Sequence, residues 1–216
     1  MYKYNYIKNK KVGIFSCYFK NVSQDLITYQ KKVFEYFNMV INQELENDYL
    51  INGILAPANH GKYLDRIIRT VDADIFIFFD IDAIPLKKEL FEYIVNELSD
   101  NNSIIGVEQS LFNLQNRYAG PACFGISKNI YEKLGSPSFC AIENLCDTAG
   151  LLTLKAKEYG INVKYFTIYD SINKLWKCEN KWYGLGTNYC NLIYHQFTAS
   201  AHHLMFIEKC KTILNK

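Results

Sequence analysis

Five consecutive large apolar side chains, Ile75 to Phe79, stand between Asp74 and Asp80 in the segment DIFIFFDID. A strand sends successive side chains to opposite faces, so Phe76 and Phe78 lie opposite Ile77 and Phe79. Such a run is at ease only where both faces are covered, as in the central strand of a mostly parallel sheet. It is also the longest apolar run in the chain, far short of the ~20 residues that span a bilayer. The feature therefore calls for helices above and below a sheet. It also carries two carboxylates, Asp80 and Asp82, to one end of that sheet.

The sequence on either side supplies the layers. Lys11–Phe19 reads as a buried strand, and Ser23 as the cap of a helix whose face is Leu26, Tyr29, Val33, Phe37 and Val40. Tyr49–Leu55 is a shorter apolar segment. Leu64, Ile67, Ile68 and Val71 mark a second helix, which runs straight into the apolar strand. After it Pro85 closes a turn, Leu90, Phe91, Ile94, Val95 and Leu98 mark a third helix, and Ser103–Val107 is a strand. This strand–helix alternation predicts a three-layer α/β domain. The second half is less regular. RYAGPACFGIS reads as a Gly/Pro-rich turn with a short apolar stretch, followed by helices over 128–134 and 148–159, a strand over 163–168 and a terminal helix after Ala199.

Composition narrows the function classes. Twenty-four basic against 22 acidic residues leave a net charge of +2, too little to coat nucleic acid by charge. With 49% hydrophobic residues and four prolines, the chain is not disordered. Seven cysteines without a CxxC pair read as free, mostly buried thiols in a reducing compartment. The basic start MYKYNYIKNKK lacks a following signal-type apolar stretch. A cytoplasmic protein without a membrane span is expected.

Ligands of open α/β sheets bind outside the carboxyl ends of the strands. Residues i and i+2 project to the same side, which lets Asp80 and Asp82 converge on one cation. Hard carboxylate oxygens, completed by water and phosphate oxygens, suit Mg²⁺ or Mn²⁺. The plainer alternative is a pair of solvated acids opening the next helix.

A hydrophobic strand, Asp-x-Asp and a Pro-led helix are shared by two enzyme classes. Haloacid-dehalogenase-like phosphatases use the first Asp, here Asp80, as nucleophile. They normally open the domain with that strand and need a later acidic pair, whereas here α/β structure comes first and only the isolated Asp170 follows. From Lys11 to about Thr198 the chain instead resembles the GT-A glycosyltransferases, in particular small bacterial and large-virus members. Asp80-Ile81-Asp82 matches their DxD motif, and NHGKYLDRIIRTVDADIFIFFDIDAIPL leads a helix directly into the motif strand. The resemblance implies one three-layer domain over 1–216, with a nucleotide-binding half (1–110), an acceptor and sugar half (111–200) and a C-terminal helix (201–216). It implies hexosyl transfer from a nucleotide-diphosphate sugar, a UDP-sugar by preference, to a glycan or other hydroxyl acceptor, with Mn²⁺ or Mg²⁺. Rival readings are the phosphatase, a nucleotidyltransferase (SCYFKNVS lacks its glycine-rich basic loop) and a non-catalytic nucleotide- or glycan-binding module.

The same resemblance implies roles for further residues, each with a plainer alternative. His195, after the strand-like LIY, is a third metal ligand or an ordinary hydrogen-bonded histidine. Asp147 contacts the acceptor hydroxyl, as the general base of an inverting enzyme, or caps a helix. Glu143 is the alternative base. Ser16 and Tyr18 bind nucleobase and ribose, or pack on the next helix. Asn59-His60-Gly61 precedes a helix whose amides receive phosphate oxygens, and Asp65 in that helix faces the nucleotide. Asp80 and Ile81 also touch the donor. Gly120–Gly125 is a sugar-donor loop or a structural turn, and Trp182–Thr187 an aromatic platform or a lid.

Overall fold

All five residues of the apolar run are buried, and they form the middle strand of a seven-stranded sheet. The structure, a computed structural model, describes residues 1–46, 50–51, 54–55, 58–110, 117–142 and 146–216. The first part comprises β1 (Asn5–Ile7), β2 (Lys10–Tyr18), α1 (Gln24–Tyr36), β3 (Asn42–Leu45), β4 (Leu50–Ile51), β5 (Ile54–Leu55) and α2 (Ala58–Thr70). Then come β6 (Ile75–Phe79), β7 (Ala83–Pro85), α3 (Glu89–Leu98), β8 (Ser103–Ser110), β9 (Arg117–Ser127) and α4 (Lys128–Lys133). The last part has α5 (Gly150–Glu158), β10 (Asn162–Phe166), β11 (Ile168–Ser171), β12 (Lys174–Cys178), β13 (Lys181–Gly184), β14 (Thr187–Tyr189), β15 (Ile193–His195) and α6 (Ala199–Leu214).

In the central sheet β3 and β6 flank β2, parallel to it, and β10 runs parallel to β8. β9 joins the two groups, antiparallel to both β6 and β8. The alternation of β6 divides the core. Ile75, Ile77 and Phe79 pack with Phe34 of α1 and with Leu90, Phe91, Ile94 and Val95 of α3. Phe76 and Phe78 face the other layer, with Tyr63, Leu64, Ile67 and Ile68 of α2, Ile130 of α4 and Leu152 of α5. The sequence-predicted three layers are thus present. Among the described residues no helix is long and apolar enough to cross a membrane.

Three features depart from the sequence expectation. The Gly/Pro-rich segment 117–127 is an eleven-residue central strand, not a turn. Pro121 is tolerated because the β8–β9 register jumps from Gly106↔Phe124 to Val107↔Gly120, so no ladder bond is asked of its missing N–H. Pro85 does not lead a helix but lies in β7, paired with Ile193, in a second sheet of order β11-β14-β15-β7. β3 (NQEL) has no apolar pattern. Its Asn42 side chain donates to the Lys3 and Ile14 carbonyls and accepts from the Lys3 amide, which fastens the strand to the sheet edge.

Candidate metal and donor site

β6 stops at Phe79 because its neighbour leaves it: the Asp80 amide makes a last contact, 3.3 Å to the Ala122 carbonyl beside the β9 register jump. A tight turn follows, closed by Ala83 N–H donating to the Asp80 carbonyl at 3.0 Å. The two carboxylates therefore converge through a turn and not through the pleat of a strand. The second sheet then brings in the third group. β15 runs antiparallel to β7 with His195 opposite Ala83, and the Gln196 amide donates to the Asp82 carbonyl at 2.9 Å. His195 Nε2 lies 3.3 Å from Asp82 Oδ1 and 3.8 Å from Asp80 Oδ2. One ligand atom each of Asp80, Asp82 and His195 fall within 4.8 Å of one another.

One buried support was not visible in the sequence reading. Gln30, on the inner face of α1, donates from Nε2 to the Asp80 carbonyl at 2.7 Å and the Ala83 carbonyl at 2.9 Å. Its own Oε1 accepts from Gln43 of β3. The signal was a polar residue on an apolar helix face, four residues after Leu26. His60, expected from the sequence among the donor-site residues, is half-buried in the first turn of α2, not before the helix, and its Nε2 is 3.4 Å from Asp80 Oδ1. Asp80 is thus held between two imidazoles.

Burial pushes the Asp80 carboxyl up, the charges of Asp82 and Asp147 push it further, and His60 and His195 only partly offset this. For His195, burial opposes the charged form, but the Asp82 and Asp80 carboxylates outweigh it and its pKa is raised. Asp80 Oδ1 and His195 Nδ1 are buried without a hydrogen-bond partner. Crowded carboxylates with an orphaned oxygen and a facing imidazole are the donor set a divalent cation of borderline hardness satisfies.

Cys17, Tyr18, Phe19, His60, Asp80, Ile81 and Asp82 line a cleft of about 170 Å³ in front of this group. Tyr18, His60 and Ile81 are therefore brought to the site; Ser16 and Asp65 are not among its lining residues. The Ser16 hydroxyl is buried in the strand. Both Asp65 carboxylate oxygens turn to the loop after α4, accepting from the Ser138 hydroxyl at 2.6 Å and the Phe139 amide at 2.9 Å. Phe139 in turn packs edge-on against Phe78 and Phe124. Asp147 does not cap α5, whose preceding residue, Ala149, has a left-handed backbone. Its Oδ1 accepts from the Thr148 amide at 2.7 Å, and its charge reaches Asp80. Glu143 lies outside the described residues. Gly120–Gly125 lies within β9, and Trp182 and Tyr183 are neighbours on β13, so alternation turns them to opposite faces.

No protein-family model matches the chain, and no curated protein matches it in sequence. Solved structures do. A glycosyltransferase involved in the glycosylation of the major capsid of PBCV-1 superposes with a TM-score of 0.51 at 15% identity, over 93% of this chain and 98% of that one. The mannosyltransferase PcManGT from Pyrobaculum calidifontis, in complex with GDP-Man and Mn²⁺, gives 0.51 at 10% identity. That match covers 76% of this chain, which spans 57% of the mannosyltransferase. The fold is the GT-A fold of these glycosyltransferases.

Proposed function

We propose that the protein is a divalent-metal-dependent glycosyltransferase that moves a sugar from a nucleoside-diphosphate sugar to an acceptor hydroxyl. The observation that carries this reading is the Asp80–Asp82–His195 group at the carboxyl end of the central strand of a GT-A fold. The phosphatase alternative loses support, because Asp170 is exposed on β11 and bonds the Ser171 amide, outside that group.

Residues 1–110 form the donor half in this reading and 111–200 the acceptor half, with 201–216 as a closing helix. Asp80, Asp82 and His195 hold Mn²⁺ or Mg²⁺; when bound, the ion supplies Lewis-acid stabilisation of the leaving diphosphate. Tyr18 offers a ring at the cleft to the nucleobase of a UDP-sugar or related donor, and Ile81 lines the same cleft. His60 orients the Asp80 carboxylate and presents its other nitrogen to donor oxygens. Gln30 keeps the Asp80–Ala83 turn in one geometry, so the carboxylates are preorganised before the donor arrives. Asp147 accepts the proton of the attacking hydroxyl in this reading.

Asp82→Asn tests the reading. The variant still unfolds cooperatively but loses Mn²⁺-dependent release of nucleoside diphosphate from UDP- and GDP-sugars by roughly 100-fold or more, since metal stabilisation amounts to several kcal/mol. Undiminished turnover by Asp82→Asn sinks the assignment.

A further inference from the structure

The hairpin β12–β13 stands out from the two sheets with most of its side chains exposed, yet one of its faces is an ordered aromatic stack. Trp176 pairs across the hairpin with Tyr183, their rings 5.5 Å apart. Both rings rest on Phe197, at 5.0 and 5.4 Å. Phe197 lies against His195 of the metal group, with ring centroids 3.9 Å apart. The stack is anchored from below, because the Tyr183 hydroxyl bonds Ser110 at the end of β8, 2.9 Å away. Tyr183 is buried, whereas Trp176 retains 39% of its surface in solvent. The indole thus packs on Tyr183 and Phe197, two ring contacts from His195, and still keeps more than a third of its surface in solvent.

We propose that the bare face of Trp176 is a stacking platform for a pyranose ring of the acceptor glycan. This rests on the glycosyltransferase reading and adds the acceptor's chemical class and its docking direction. The apolar C–H face of a pyranose suits an indole, and a ring seated there directs its hydroxyls along the aromatic stack toward His195. Trp182, on the other face of the hairpin, does not join this wall.

A printed array of neutral and acidic glycans, probed in Mn²⁺ and UDP, tests the platform. Wild-type protein retains a set of glycans, Trp176→Phe keeps measurable binding, and Trp176→Ala loses at least about tenfold. A second measurement does not depend on how the alanine variant folds. Trp182→Phe leaves Trp176 as the sole tryptophan of the chain, and titration with an array-selected glycan shifts its emission saturably. Retention of the glycans by Trp176→Ala, no glycan bound by the wild type, or an unresponsive Trp176 emission each overturns the proposal. Mn²⁺-dependent UDP and GDP binding, measured on the same proteins, keeps the two readings apart. It persists in wild type and Trp176→Ala if only the platform is wrong, and is missing from the wild type if the donor reading is wrong.

Discussion

Replacing Gln30 with Leu removes the brace under the metal turn while keeping most of the side-chain volume, so the cavity contribution stays small. Two bonds are lost, to the Asp80 and Ala83 carbonyls. At about 1 kcal/mol net each they account for roughly 2 kcal/mol. The Asp80 carbonyl keeps the Ala83 amide as a donor, but the Ala83 carbonyl is left in a fully buried position, which adds about 1–2 kcal/mol. Gln43 loses one acceptor and retains its bond to the Ile27 carbonyl. The total is about 3–4 kcal/mol. For a domain of this size each kcal/mol lowers the melting temperature by ~2–4 °C, so chelator-treated Gln30→Leu melts roughly 6–16 °C below wild type. Because the lost bonds hold the turn that aims both carboxylates, calorimetric titration also gives weaker Mn²⁺ binding. A melting point within about 2 °C of wild type refutes the energetic argument. A large drop in melting point with unchanged Mn²⁺ affinity refutes the claim that Gln30 preorganises the site.

Asp65→Ala separates a loop clamp from a nucleotide contact. Loss of its charge-assisted bonds to Ser138 and the buried Phe139 amide destabilises by about 3 kcal/mol in denaturant unfolding, while UDP affinity stays within twofold; weakened nucleotide binding at full stability reverses the assignment. His195 makes metal-free stability depend on pH. Its folded pKa lies above the unfolded value, so its stabilisation is complete below about pH 6.5 and is lost as pH rises through the folded pKa. Melting curves in chelator from pH 6 to 9 show the advantage of wild type over His195→Gln shrinking with pH; a constant gap contradicts the charge pairing with Asp82 and Asp80.

How far the sequence led depended on whether a feature was written in local pattern. The Ile75–Phe79 run announced a strand buried on both faces, and with it the position of Asp80 and Asp82 at a sheet end. His195 was legible only through the GT-A resemblance, because its position comes from long-range pairing of β15 with β7. β9 was hidden by Pro121 and its glycines, which read as a turn until the register jump that accommodates them is seen. β3 was hidden by polarity, being held at the sheet edge by side-chain amide bonds and not by apolar alternation. Asp65 and Ser16 sit at positions from which a donor contact is plausible. Neither lines the cleft: the Ser138–Phe139 loop holds the Asp65 carboxylate, and the Ser16 hydroxyl is buried in the sheet.

The register jump in β9 has a consequence for how such a chain can diversify. Below it, β6 and β8 are zipped to one partner and must keep step. Above it the sheet forks: the β6 prong ends in the Asp80 turn, and the β8–β9 prong rises alone toward the Tyr183 hairpin. Insertions on one prong leave the hydrogen-bond phase of the other untouched. An evolving chain, or a designer, can therefore exchange the β8–β9 prong as a cassette while the carboxylate turn keeps its alignment.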